Sequence, residues 1–299
     1  MSQTTRKKSK IIDIVLVSLA LACIAATVLF ALDKSIVFDA DVRIDALAKD
    51  VIERLFLAAF LVVFCLSTTF KSLMKFNVKP AKGLFALVPC MLVALANFPF
   101  SAIIGGGAIV QKNQYVWLFC LQCALIGVVE ELVFRLVAWV LVTDKTKGKP
   151  LVLQVIVNSA VFALWHLVNL LFGQGIGTTL LQVGYSFLIG AMLTTLYIVT
   201  SNIWWCVAVH AMFDFGGKLV ATLGSGNVWD VPFWIATAVG GVICAVWVLY
   251  VLLVQCKNAP WVAVNCGIAV ENIKSVDVDV VQNPSGAVDI DIAANDNER

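Results

Sequence analysis

Long apolar stretches, each closed by a short polar segment, run through this chain from residue 11 to residue 256. A helix needs about 20 apolar residues to cross the hydrocarbon core of a bilayer. Eight stretches meet that length: 11–32, 51–73, 84–104, 115–142, 151–172, 178–200, 202–220 and 233–256. None shows the period-two alternation of a half-buried strand. The pattern predicts an all-α, polytopic transmembrane helical bundle of about eight spans. The sixth and seventh meet at Ser201 with almost nothing between them, so they should form a tight antiparallel pair.

The polar segments set the orientation, because lysine and arginine collect on the cytoplasmic side. Arg6, Lys7, Lys8 and Lys10 precede the first stretch. Lys71, Lys75, Lys79 and Lys82 follow the second, and Lys145, Lys147 and Lys149 follow the fourth. The alternate segments lack this bias: Asp33 to Asp50 holds five aspartates, and 173–177 has no charge. Eight spans with both termini cytoplasmic fit this alternation. The first stretch is too long for the h-region of a signal peptide and no A-x-A site follows it, so it reads as an uncleaved helix.

Composition agrees, with 61% hydrophobic and 13% charged residues and a mean hydropathy of +0.95. Typical soluble chains are about 25% charged. The net charge of +2 gives no reason to expect a nucleic-acid partner. The nine cysteines are scattered, mostly within apolar stretches, and read as buried thiols rather than a disulfide framework. From 257 onward the composition changes to seven acids against three bases. There Ser275–Val281 and Ala287–Ile292 alternate apolar residues with aspartate around the turn signal Asn283-Pro284-Ser285-Gly286. Three units follow: N-terminal transmembrane helices (1–114), a membrane core (115–256), and an acidic cytoplasmic tail (257–299), disordered or a small hairpin.

The chemistry lies in charges placed where they are costly. An ionisable group at the bilayer centre costs about 2.5–3.5 kcal/mol on insertion scales and marks a functional site by default. The fourth stretch carries Glu130, Glu131 and Arg135. The chain's two histidines, His166 and His210, lie in the fifth and seventh, with Asp214 following His210. Glu131 and Arg135 are four residues apart and share a helix face. Glu130 is rotated about 100° from Glu131, which leaves it free to exchange protons. Asn158, Phe162 and His166 recur every four residues. His210 and Asp214 do the same, so the carboxylate can bond an imidazole nitrogen or both can reach a common ligand. At about 1.5 Å per residue, Glu130, His166 and His210 lie roughly 18, 22 and 12 Å from the cytoplasmic helix ends. One wet cavity can hold them all.

Taken together and in order, Glu130-Glu131-x-x-x-Arg135, Phe162-x-x-x-His166 and His210-x-x-x-Asp214 resemble the motifs of the CPBP intramembrane proteases. That family includes type II CAAX prenyl endopeptidases and bacteriocin-processing proteins. The resemblance covers about 115–220, and Asp214 stands where the family usually has asparagine. It implies hydrolysis of a peptide bond in a membrane-associated or secreted-peptide substrate, in the plasma membrane of a bacterium. Glu130, assisted by His166, would activate a water, and His210 and Asp214 would stabilise the oxyanion. Glu131 and Arg135 would hold the helix. No cofactor is required by this scheme. The alternative is a zinc ion held by Glu130, His166 and His210 with water as its open ligand. Partners would be a peptide or protein substrate and the lipid bilayer. Two other classes fit the same residues: a non-catalytic scaffold or bacteriocin immunity protein, and a proton-coupled transporter.

Overall fold

The structure, a computed structural model, describes residues 36–74 and 82–256, and the backbone of 280–282 and 288–290. The predicted span 11–32 lies outside the described residues. Helix α1 (Val42–Ser67) starts where the Asp41 carboxylate accepts from the Arg43 amide at 3.0 Å. Its inward face, Ile44, Leu47, Val51, Ala58, Leu61 and Cys65, follows the helical period. The helix begins well before residue 51 because the charges of its first half pair along it: Asp45 with Lys49 at 2.9 Å and Asp50 with Arg54 at 2.8 Å. Gln122 donates to the other oxygen of Asp50 at 2.6 Å.

The predicted span 84–104 is interrupted. Helix α2 (Lys82–Ala96) and the single-turn α3 (Phe100–Ile104) are separated at Asn97–Pro99. Pro99 disfavours helical backbone at Phe98, and the Asn97 amide instead donates to the Phe213 carbonyl at 2.8 Å. After α3, strand β1 (Ala108–Val110) pairs antiparallel with β2 (Gly224–Gly226). This clasp was not expected from the sequence. Glycine is required there: a Cβ on Gly224 would lie 2.1 Å from the Ile109 carbonyl oxygen, and Gly226 has φ +111°.

The fourth stretch is one continuous rod made of α4 (Val116–Glu131), a π-helical segment (Leu132–Ala138) and α5 (Trp139–Lys145). The fifth is α6 (Leu151–Trp165) extended by a 3₁₀ segment (His166–Phe172) that stops at left-handed Gly173. Helices α7 (Ile176–Thr200) and α8 (Ile203–Leu223) meet at left-handed Ser201, and the Asn202 side chain caps α8. Helix α9 (Val231–Tyr250) is capped by Asp230 and runs into a π segment (Val251–Gln255). Four of the expected spans coincide with helices long and apolar enough to cross a membrane: Leu151–Phe172, Ile176–Thr200, Ile203–Leu223 and Val231–Gln255. In the tail, β3 (Val280–Gln282) pairs antiparallel with β4 (Val288–Ile290), with Val281 opposite Asp289.

Packing places α4 between α1 and α8, while α6 lies against α7. Where α4 meets α8, a Cβ on Gly127 would lie 2.9 Å from the Val207 carbonyl oxygen, so the backbones touch. Where α7 meets α6, a Cβ on Gly190 would lie 2.9 Å from the Phe162 ring. Among the described cysteines, Cys65, Cys90, Cys123, Cys206 and Cys244 are buried free thiols and Cys120 is exposed.

Gly127→Val should drive α4 and α8 apart and cost about 1–3 kcal/mol of overpacking. Gly177→Ala, which meets open space, should shift stability by no more than about 0.5 kcal/mol. Thermal midpoints of the two variants in detergent compare them directly.

Candidate active site

One turn beyond Gly127, α4 presents two carboxylates to α8. Glu131 is fully buried and lies between two partners. Its Oε2 is 3.0 Å from Arg135 Nε, so the pair predicted by the spacing forms. Its Oε1 is 2.6 Å from His210 Nδ1. Arg135 is also at 0% exposure, and its guanidinium carbon sits 4.3 Å over the centroid of the Phe162 ring. Its Nε, Nη1 and Nη2 make no hydrogen bond among the described residues, so its contact with Glu131 Oε2 is an ion pair alone. The ring face therefore provides the remaining stabilisation of this cation.

Glu130 points away from that pair. Its Oε2 is 3.7 Å from His210 Nε2, too long for a hydrogen bond and short enough for one water to touch both atoms. An ionised Glu131 can only accept, so His210 Nδ1 carries its proton. The two nitrogens of one imidazole are thus assigned to two adjacent carboxylates of the facing helix. Among the described residues no hydrogen bond joins Asp214 to His210; Asp214 accepts from the Lys218 ammonium at 2.6 Å. The reason lies in reach. The close approach at Gly127 brings α4 up to His210, whereas Asp214, one turn further along α8, has a cation one turn beyond it.

His166 is held by Phe162. Its Nδ1 donates to the Phe162 carbonyl at 3.0 Å, which leaves a lone pair on Nε2. Its ring meets Phe162 edge-on at 5.2 Å, and His210 meets the same ring edge-on at 6.0 Å. Phe162 therefore stands beside both imidazoles, with Phe134 against it at 5.0 Å. No hydrogen bond or ion pair joins His166 to Glu130 among the described residues. Asn158, on the same face of α6, donates to Thr194 on α7 at 3.0 Å and ties the two helices together.

No three His, Cys, Asp or Glu side chains among the described residues are grouped to hold a metal ion. Both His210 nitrogens face carboxylates, and His166 lies on the other contact of Phe162.

Charged residues of α1 add to the site. Arg54 interacts electrostatically with both Glu130 and Asp214, and Lys218 also feels Glu130. The sequence reading passed over Lys218 and Arg54. Their signal was an acid four residues before each, Asp214 and Asp50.

The site is a buried carboxylate–imidazole cluster among apolar helices. Residues 112–216 match the family of type II CAAX prenyl endopeptidases, described as Rce1-like. That interval contains all three motifs and is the stretch on which the resemblance rests. No curated protein and no solved structure matches the chain.

Arg135→Met should leave Glu131 buried without its cation and cost about 3–5 kcal/mol. Adding Glu131→Gln should recover much of that loss, because both charges are then gone. Unfolding of the single and double variants measures the difference.

Proposed function

We propose that the protein is an intramembrane endopeptidase with Glu130 as its general base. The observation that carries this reading is the approach of Glu130 to His210, whose other nitrogen is fixed by Glu131, inside the stretch matched to a protease family. A water between Glu130 and His210 loses its proton to Glu130 as its oxygen attacks the scissile carbonyl carbon. In its protonated form, His210 donates Nδ1–H to Glu131 and Nε2–H to the developing oxyanion. Collapse of the tetrahedral intermediate breaks the C–N bond, and the proton held by Glu130 passes to the leaving amine. His166, with its Nε2 lone pair, is the assisting base. Asp214, paired with Lys218, can only accept hydrogen bonds, so the oxyanion role falls to His210.

The substrate class is a peptide or protein segment reaching the site from the bilayer, either prenylated or from a secreted-peptide precursor. The location is the plasma membrane of a bacterium, with eight spans and both termini in the cytoplasm. Lysine-rich loops support that orientation.

The test uses the full chain in lipid nanodiscs and a library of farnesylated and unprenylated membrane-anchored peptides, read by mass spectrometry. Glu130→Gln should lower kcat by about 10²–10⁴-fold, the usual contribution of a general base. Cleavage by the wild type that survives Glu130→Gln unchanged would refute the assignment. Absence of cleavage, with a cellular phenotype that persists in Glu130→Gln, would favour a scaffold or immunity protein. A chelator should leave the rate unchanged. Stoichiometric zinc whose removal abolishes cleavage would require Glu130, His166 and His210 to regroup.

A further inference from the structure

Three carboxylates approach the His210 end of α8: Glu130 and Glu131 from α4, and Asp214 from α8 itself. Two of them have a cation in direct contact. Arg135 lies 3.0 Å from Glu131, and Lys218 lies 2.6 Å from Asp214. Glu130 has no cation in contact among the described residues; its near neighbour is the His210 ring. The Lys218 side chain is 44% exposed, while Asp214 is 12% exposed, so the long side chain bends back to cover a mostly buried acid. A surface lysine on a helix is normally solvated and contributes little through an i,i+4 pair. Here the acid faces inward and shares its region with Glu130, Cys123, Tyr185 and Arg54.

We propose that Lys218 is a positioning residue of the site. Its ammonium neutralises Asp214 and holds it off His210, which leaves Glu130 as the single carboxylate able to exchange a proton beside that imidazole. The proposal rests on the protease reading above. Without Lys218, Asp214 would lose its contact cation one turn from His210, with Arg54 acting on it only at longer range. The His210 imidazole, four residues away on the same helix face, is a hydrogen-bond donor within that region. Asp214 would then compete with Glu131 for Nδ1–H and turn the ring that must face the oxyanion. The function of the pair is therefore conditional: a lysine is needed at 218 because residue 214 is charged.

That conditionality gives the test. With the peptide the wild type cleaves fastest, Lys218→Met should lower kcat by about 100-fold, the size of effect that small misplacements of reacting groups produce. KM should change little, while the thermal midpoint should fall, because a mostly buried acid loses its contact cation. Lys218→Arg, which keeps the charge, should recover most of the loss. So should the double variant Asp214→Asn with Lys218→Met, because a neutral amide needs no counter-charge. A Lys218→Met enzyme with wild-type kcat, or a double variant no better than Lys218→Met, would overturn the proposal. If Lys218→Met does not fold, Asp214→Asn alone decides. With residue 214 neutral there is no acid to compete for His210, so kcat should stay near wild type with or without Lys218→Met; a large fall in Asp214→Asn overturns the proposal. Glu130→Gln is measured alongside. Full activity there removes the protease reading itself, whereas an inactive Glu130→Gln beside an unaffected Lys218→Met removes only the role of Lys218.

Discussion

Everything in the site depends on one carboxylate held on both sides. Glu131, with no exposure, bridges an arginine of its own helix and a histidine of the facing helix. A buried charge is tolerated only when it is paired and hydrogen-bonded. The two partners of Glu131 satisfy that condition, and each is oriented by it. Arg135 is drawn over Phe162, and His210 is fixed in ring orientation and tautomer. Glu130, the adjacent residue, then points to the free side of the same imidazole. A single anion therefore sets a cation, an imidazole and an aromatic ring, and the Glu130 carboxylate lies beside it.

The surrounding packing is arranged for that contact. Gly127 permits the backbone approach of α4 to α8 that lets short carboxylate side chains reach His210. Gly190 lets α7 lie against Phe162, and Asn158 with Thr194 fixes α6 on α7. The polar half of α1, with Arg54 and Asp50, closes the other side of α4. These are small residues and satisfied polar groups, the features that let membrane helices pack closely without a hydrophobic driving force.

Much of this was legible in the residues, and the gaps have identifiable causes. Glu131 and Arg135 were paired from spacing alone, because i,i+4 contacts are local. The spans at 151–172, 178–200, 202–220 and 233–256 were legible because they carry few charges. The helix from Val42 was not, since its five charged residues between Asp45 and Arg54 hide an amphipathic helix from a hydropathy reading. The break at Asn97–Pro99 was masked by apolar residues on both sides. The partner of His210 was not legible for the opposite reason. Local spacing favoured Asp214, but the choice was made by a contact between helices some 79 positions apart in sequence. The place of Phe162 beside both imidazoles and Phe134 depends on how α4, α6 and α8 pack, and no periodicity encodes that.

The π-helical stretch at Leu132–Ala138 has a further meaning. It begins right after Glu131 and contains Arg135, and such stretches are wound with a looser hydrogen-bond step than the flanking helix. Loss of one amino acid from it would restore regular winding. The part of the rod from Trp139 onward would keep nearly its present rotation, because the wider turn holds the one residue that a regular turn would not. A one-residue gap at this point in related chains should therefore leave the far end of the rod in place and disturb chiefly the reach of Arg135, which lies inside the stretch, to Glu131.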